Sequence, residues 1–465
     1  MRLSYSSKLE ESSWSSAHTW TFIAFAVGML AEAYIYGLGS FAAFWFTTLP
    51  SLLGTLALAW SPLFLILGIA FAGPISDALG RRLTFFFTMA LYAVGAVGMF
   101  FFSAPYQVLF FLALLLFAAG GEMNTIMAAN HEIMPRKYRS RTMFWEINFI
   151  NVGGVILGLV GFIAASAYGS LAFSKELVAV MFIPILAVLL FSRLKMPESV
   201  RWLEAKGKHA EAAAAVQKHF ATAASASPAA AAAPSPSSAG GKHPSMATKI
   251  FVVTAIAGAN AVGFGLMTYS LGYYYYASQI ASIILVANLV GFFAGAVVSI
   301  MAEKWSRKKV LTYSMLGTFI VTWGIYFLNI STAAFSNSLI TFYAILIILN
   351  VFVGAGYLAE DTLKGEVWNT TRRGTLTALT RFLSIGAAIP AYYIGLSLSE
   401  NNYILFNALV WTVGMIAVLV WHFRGIETGQ GVSIAVASGE TPVVSPSMPS
   451  MATPETRALN QQDAK

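Results

Sequence analysis

The sequence holds no cysteine, which excludes disulfides and thiolate metal sites. Charge is scarce: Asp, Glu, Lys and Arg make up 10% of the 465 residues, against roughly 25% in a soluble globular domain. The phosphate-cradling pattern GxxxxGK[ST] does not occur, which argues against ATP as the energy source. No cleavable signal peptide is evident, because the first apolar run is long and lacks a small-residue cleavage site. The histidines (His18, His131, His209, His219, His243 and His422) read as scattered in or beside loops, so no metal cluster is expected. Acidic residues number 20 against 28 basic ones, a net charge of +8. The excess is no nucleic-acid signal, because Lys and Arg cluster in short loops between apolar runs.

Apolar residues supply what is abundant: 57% of the chain, with a mean hydropathy of +0.70. Runs of about 20 residues, the length that crosses a bilayer, fall at 20–44, 52–75, 83–103, 106–130, 142–167 and 177–195. A second set falls at 249–271, 280–301, 310–329, 338–359, 375–397 and 403–422. Six plus six predicts an all-α membrane protein with twelve transmembrane helices. With the N-terminus inside, the outer loops carry only Lys175. The inner loops carry Arg81 and Arg82; Arg136, Lys137, Arg139 and Arg141; Lys304, Arg307, Lys308 and Lys309; Lys364, Arg372 and Arg373. The positive-inside rule then places both termini in the cytoplasm of a cell membrane.

This divides the chain into a tail (1–19), a six-helix bundle (20–195), a central loop (196–248), a second bundle (249–423) and a C-terminal tail (424–465). In the loop, 197–220 has helical spacing and mixed charge and suits one surface helix, whereas 221–247 is an Ala/Ser/Pro/Gly-rich flexible linker. From Glu427 onward the chain is polar and reads as disordered. Neither the linker nor the tail is expected to carry chemistry.

The two halves repeat. Asp77-x-x-Gly80-Arg81-Arg82 matches Glu303-x-x-Ser306-Arg307-Lys308, each after the second run of its half. Glu132-x-x-Pro135-x-x-x-Arg139-Ser140 matches Glu366-x-x-Asn369-x-x-x-Arg373-Gly374, each after the fourth. Paired charged loops at corresponding places imply parallel halves related by an axis along the membrane normal.

The stretch GPISDALGRR at 73–82 organises this pattern. Gly73 suits a close approach of helices, and Gly80 suits a turn with positive φ. The stretch resembles the G-x-x-x-D-R-x-G-R-R loop of the major facilitator superfamily, with Ala78 where that family usually has a basic residue. Gly120-Gly121-Glu122 through HEIMPRKYRSR (131–141) is similar to the sugar-porter and organic-acid symporter branches. MPESVRWLEAKGK (196–208) resembles their P-E-S-P-R-W-L-x-x-K-G-R signature, with Val200 for the second proline. The seventh run lacks the Q-Q-x-x-G-x-N of typical sugar porters. Leu112 stands about where an arginine often opens the fourth helix of organic-acid symporters.

The resemblance implies two pseudo-symmetric six-helix bundles and transport, not enzymatic catalysis. A small polar organic solute of sugar or organic-acid type would move by alternating access with protons, needing no cofactor beyond the proton gradient, in a monomer. An exporter of lipophilic compounds by proton antiport stays open on the aromatic content, and a non-transporting solute sensor is a third reading.

Under that resemblance Asp77, Arg81, Arg82, Glu132, Arg139, Glu303, Arg307, Glu366 and Arg373 form a cytoplasmic gate, with Asp77 facing the start of the eleventh helix near Gly374. The alternative is that these charges only set topology. Glu32 lies midway along the first run, where an acid costs roughly 2.5–3.5 kcal/mol and so faces a cavity or a partner. It is the first candidate for proton coupling; a hydrogen-bonded neutral Glu inside the bundle is the plainer reading. Glu122, the second candidate, is placed to pair with Arg381 or to shape the cavity, with a purely structural role as the alternative. Glu360 and Asp361, preceding Lys364, read as a structural or gate network, with proton carriage as the alternative. Candidate solute contacts are Tyr34, Asn124, Asn148, Asn151, Asn260, Tyr269, Asn288 and Arg381, the amides offering both donors and acceptors. Each asparagine serves equally as a helix–helix hydrogen bond. Tyr273–Tyr276 read as interface anchors, with an extracellular gate as the alternative.

Overall fold

Apolar runs bounded by charged loops fold here as helices, and twelve among the described residues are long and apolar enough to cross a membrane. The computed structural model describes residues 9, 12–45, 56–57, 59–168, 174–220, 243–368, 372–430, 432 and 437–439. The first six helices are α1 (Ser16–Trp45), α2 (Trp60–Leu79), α3 (Arg81–Phe101), α4 (Pro105–Ile133), α5 (Arg139–Tyr168) and α6 (Ser174–Lys195). The second six begin with α7 (Met246–Phe264), which continues through a π-helical turn (Gly265–Ser270) into Leu271–Tyr275. Then come α8 (Ile280–Met301), α9 (Arg307–Thr332), α10 (Leu339–Glu366), α11 (Arg373–Gly386, resuming as Ala388–Leu396) and α12 (Glu400–Arg424). No strand occurs among the described residues.

Local chemistry sets the ends. Ser245, Ser306 and Ser338 cap α7, α9 and α10, each side chain accepting a backbone N–H three residues on. Pro105 opens α4, where its missing N–H is harmless. Pro390 explains the break in α11, since its ring crowds the carbonyl four residues back, at Gly386. Most helices outrun their apolar stretches: α10 continues to Glu366, beyond the expected 359. The helical backbone carries on after the greasy side chains stop. The single surface helix expected over 197–220 is two, Val200–Ala205 and His209–His219, because Gly207 turns the chain at φ 72°. The linker expected over 221–247 lies largely outside the described residues.

Packing repeats between the halves. In the first, α2 packs on α4, α1 on α5 and α3 on α4 and α6; in the second, α8 packs on α10 and α9 on α10 and α12. Across the halves, α5 meets α8 and α2 meets α11, two contacts that the pseudo-twofold axis interchanges. The tightest approach in the first half is at Gly68 and Gly120, where a β-carbon would strike the carbonyls of Phe117 and Leu65. Gly73 is not such a point: its β-carbon would sit an ordinary 4.0 Å from Ala378 of α11.

Candidate functional site

Two groups of charges stand out, one at the end of the bundle that carries the termini and one inside it. At the terminus-bearing end Arg81 forks onto Glu132, Nη2 to Oε1 at 2.8 Å and Nε to Oε2 at 3.2 Å. Its Nη1 reaches Asp77 Oδ1 at 2.8 Å. Arg307 repeats the fork onto Glu366, at 2.9 and 3.3 Å. Arg139 and Arg373 each donate to a carbonyl five residues earlier, Met134 at 3.4 Å and Trp368 at 3.2 Å. Arg82 is exposed and donates to the Leu194 carbonyl at 3.5 Å.

The acids of this end face helix starts in the opposite half. Asp77 lies against Gly374 at the start of α11, its Oδ2 3.7 Å from where a β-carbon would stand. Glu303 Oε1 accepts the backbone N–H of Arg141, in the first turn of α5, at 2.9 Å. Both carboxylates therefore meet the positive end of a helix dipole across the interface. Burial pushes the Glu303 carboxyl above its ordinary value, against the Arg141 N–H that favours its charged form.

Two further acids complete this end. Glu198 accepts the backbone N–H groups of Arg81 and Arg82 at 3.0 and 3.1 Å, closing the start of α3. Glu427 does the same for α9, accepting from Arg307 and Lys308 at 2.8 and 3.4 Å and from the Ser306 hydroxyl. Glu427 thus has a fixed place, contrary to the disordered tail expected from that residue onward. The signal was the repeated acid–hydroxyl pair, Glu198-Ser199 after the sixth run and Glu427-Thr428 after the twelfth. His18 and His131 lie in the end turns of α1 and α4, beside loops as expected, but are buried there, and His131 packs on Gly365 of α10.

Between the halves lies a cavity lined by residues of α1, α2, α5, α7, α8, α10 and α11. The first half contributes Glu32 and Tyr36 from α1 and Asn151 from α5; α7 contributes Asn260, Phe264 and Tyr269. Tyr357, Glu360 and Lys364 of α10 and Arg381 and Ser384 of α11 complete it. Charge is concentrated here. Lys364 Nζ stands 2.6 Å from Asp361 and 3.0 Å from Glu360; Arg381 stands 3.2 Å from Asp361 and 3.9 Å from Glu32. All five side chains are buried. Glu32 and Arg381 come from opposite halves. Arg381 also rests on the sulfurs of Met123 and Met127 of α4.

Of the residues proposed from sequence, Glu32, Asn151, Asn260, Tyr269 and Arg381 line the cavity. Glu122 does not pair with Arg381: it is bonded to Arg193 of α6 and to Thr88 at 3.2 Å. The two arginines stand on different faces of α4, and the face carrying Glu122 turns into the first half. Tyr34, Asn124, Asn148 and Asn288 do not line the cavity. Tyr34 donates to the Val178 carbonyl at 2.9 Å, inside the first half. Asn148 ties α5 to the Phe292 carbonyl of α8 at 3.1 Å, Asn288 bonds back to Ile284 at 2.7 Å, and Asn124 is buried in α4. Tyr274, Tyr275 and Tyr276 bond to the Tyr392 carbonyl, the Leu398 carbonyl and Glu400, so they fasten α7 within its own half.

Sequence reasoning missed Arg193, Glu146, Tyr36 and Tyr392. Glu146 is a buried acid on α5 whose Oε2 accepts from Asn130 at 2.8 Å; it stands in WEIN, an acid in an apolar run just as Glu32 is. Tyr36 and Tyr392 hydroxyls meet at 3.2 Å and join the halves on the far side of the cavity from the arginine loops.

A family model described as the Major Facilitator Superfamily matches residues 55–391. The chain is 30% identical over 168 residues to the inner membrane metabolite transport protein YgcS of Escherichia coli strain K12, covering 34% of each chain. It is 28% identical over 148 residues to monosaccharide-sensing protein 3 of Arabidopsis thaliana, covering 32% of this chain and 20% of that one. These matches span no more than about a third of either relative's length. Among solved structures, the proton:xylose symporter XylE bound to 6-bromo-6-deoxy-D-glucose superposes with a TM-score of 0.72 at 15% identity, covering 91% of this chain and 99% of that one. The inward-open form of XylE from E. coli gives 0.65 at 16% identity, covering 90% and 99%. At such identities the likeness is one of fold.

Proposed function

We propose a transport cycle from the premise that this chain belongs to the Major Facilitator Superfamily: it moves a small polar organic solute, of sugar or organic-acid type, by proton symport through alternating access. In this reading it sits in a cell membrane with both termini cytoplasmic, works as a monomer and draws on the proton gradient with no cofactor. The observation that carries it is the ionisable contact between Glu32 and Arg381, which crosses from one half to the other inside the cavity.

The chemistry follows from that contact. An ionised Glu32 attracts Arg381 and draws α1 toward α11; a protonated Glu32 does not. Loading a proton therefore changes how strongly the halves hold each other beside the solute. Asn260 is suited to solute recognition, because its buried Nδ2 has no partner and the side chain lines the cavity. Opening toward the cytoplasm parts Asp77 from α11 and Glu303 from α5. Opening to the other side parts Tyr36 from Tyr392.

The test is proton movement in liposomes carrying the purified protein and an internal pH dye, screened against sugars, organic acids, amino acids and amphipathic drugs. One solute is expected to acidify the liposome interior as it enters. Labelled solute that equilibrates with no proton movement would leave a uniporter and end the symport reading. Glu32→Gln is expected to abolish pH-gradient-driven uptake of the identified solute; uptake that stays gradient-driven removes Glu32 from the coupling.

A further inference from the structure

We infer that the exchangeable proton of the cavity is shared between two carboxylates, Glu32 of α1 and Glu360 of α10, one seat in each half. This rests on the symport reading, but stands on the cavity's own charges. Three carboxylates (Glu32, Glu360 and Asp361) face two cations (Lys364 and Arg381), and all five are buried. An uncompensated buried charge costs several kcal/mol, so a set one positive charge short takes up one proton.

Distances say which acid stays ionised. Asp361 holds both cations, Lys364 at 2.6 Å and Arg381 at 3.2 Å. The other two acids compete for what remains. Glu32 stands 3.9 Å from Arg381, and its Oε2 has no hydrogen bond. Glu360 approaches Lys364 at 3.0 Å off the line of a hydrogen bond, and neither of its oxygens is hydrogen-bonded. Both line the cavity. With the proton on Glu32, Arg381 belongs to Asp361 and Lys364 to Glu360. With the proton on Glu360, Lys364 belongs to Asp361 and Arg381 to Glu32. The two arrangements differ by one proton, released by one carboxylate and taken by the other, and by small swings of two long cationic side chains.

The helices packed round the pair bring no further unmatched charge to it among the described residues. Tyr36 of α1, Tyr269 of α7 and Tyr357 of α10 face the cavity with neutral phenols. Glu122 of α4 is already matched by Arg193. His131 of α4 and Lys249 of α7 meet α10 farther along, at Gly365 and at the Val367 carbonyl. Helices α2, α5 and α8 bring Leu65, Ile150, Asn151 and Gly291, none of them titratable.

The experiment counts protons taken up by the purified protein in detergent as pH falls, read with an indicator dye and compared variant against wild type so that distant carboxyls cancel. Glu360→Gln is expected to lose the cavity proton as fully as Glu32→Gln, because either change leaves acids and cations equal in number. Lys364→Gln is expected to roughly double the cavity's uptake, and Glu360→Gln combined with Lys364→Gln to restore the wild-type count. A Glu360→Gln protein with wild-type uptake would overturn the inference, because the cavity would then bind a proton with no surplus acid; so would Lys364→Gln with unchanged uptake. Each of these variants is decisive without the other if one fails to fold. No solute is present, so a failure of solute-driven flux in liposomes would remove the transport reading and leave this count standing.

Discussion

At the scale of single residues, the buried pair of Glu122 and Arg193 differs in kind from the cavity charges. It is complete in itself: one acid, one base and the Thr88 hydroxyl, enclosed within the first half. Removing one partner strands the other, a change that costs about 3–5 kcal/mol. Glu122→Gln is therefore expected to lower the melting temperature in detergent sharply, and Glu122→Gln with Arg193→Met to recover most of it. An unchanged melting temperature for the single variant would show that the pair does not hold the fold. The sequence made Glu32 and Glu122 legible as acids in apolar runs, but not their partners. Which of two arginines, Arg193 or Arg381, an acid meets depends on the rotation of α4, and no local pattern encodes that.

At the scale of elements, the helices were legible because apolar length and charged boundaries are compositional. Their ends and interruptions were less so. The break in α11 had a signal in Pro390, and the split of the surface helix had one in Gly207; the π-turn in α7 has no comparable mark. The start of α9 shows what a distant residue adds. Glu427 closes it from beyond α12, satisfying N–H groups that a helix cannot satisfy itself. Replacing a helix cap costs about 0.5–2 kcal/mol, so Glu427→Ala is expected to destabilise the protein by that amount in a denaturation curve, and Glu198→Ala by a similar amount at α3. Curves that superpose on wild type would show that these acids are incidental to the helix starts.

At the scale of the whole molecule, the repeated charged loops already implied parallel halves, and the symmetric contacts of α2 with α11 and α5 with α8 follow from that axis. The sequence could not say which faces meet, because interface asparagines and glycines look like those inside a bundle. Across that interface Asp77 and Glu303 each sit on a helix start of the other half. Asp77→Asn keeps the shape and removes the charge. It is expected to abolish turnover in liposomes while the melting temperature stays near wild type; normal turnover would show that Asp77 does not gate. The tie made by Glu198 has a different reach, in time instead of space. Glu198 is synthesised just after α6 and fastens back to α3, so every contact that closes the first half is available before any of the second half leaves the ribosome. The second half gains its own tie only when Glu427 arrives. Each half can thus mature in the membrane in order of synthesis, and two polypeptides divided within residues 221–242 are expected to insert separately and assemble, read by their co-purification from one membrane; halves that do not co-purify would show that the tie made by Glu198 does not suffice.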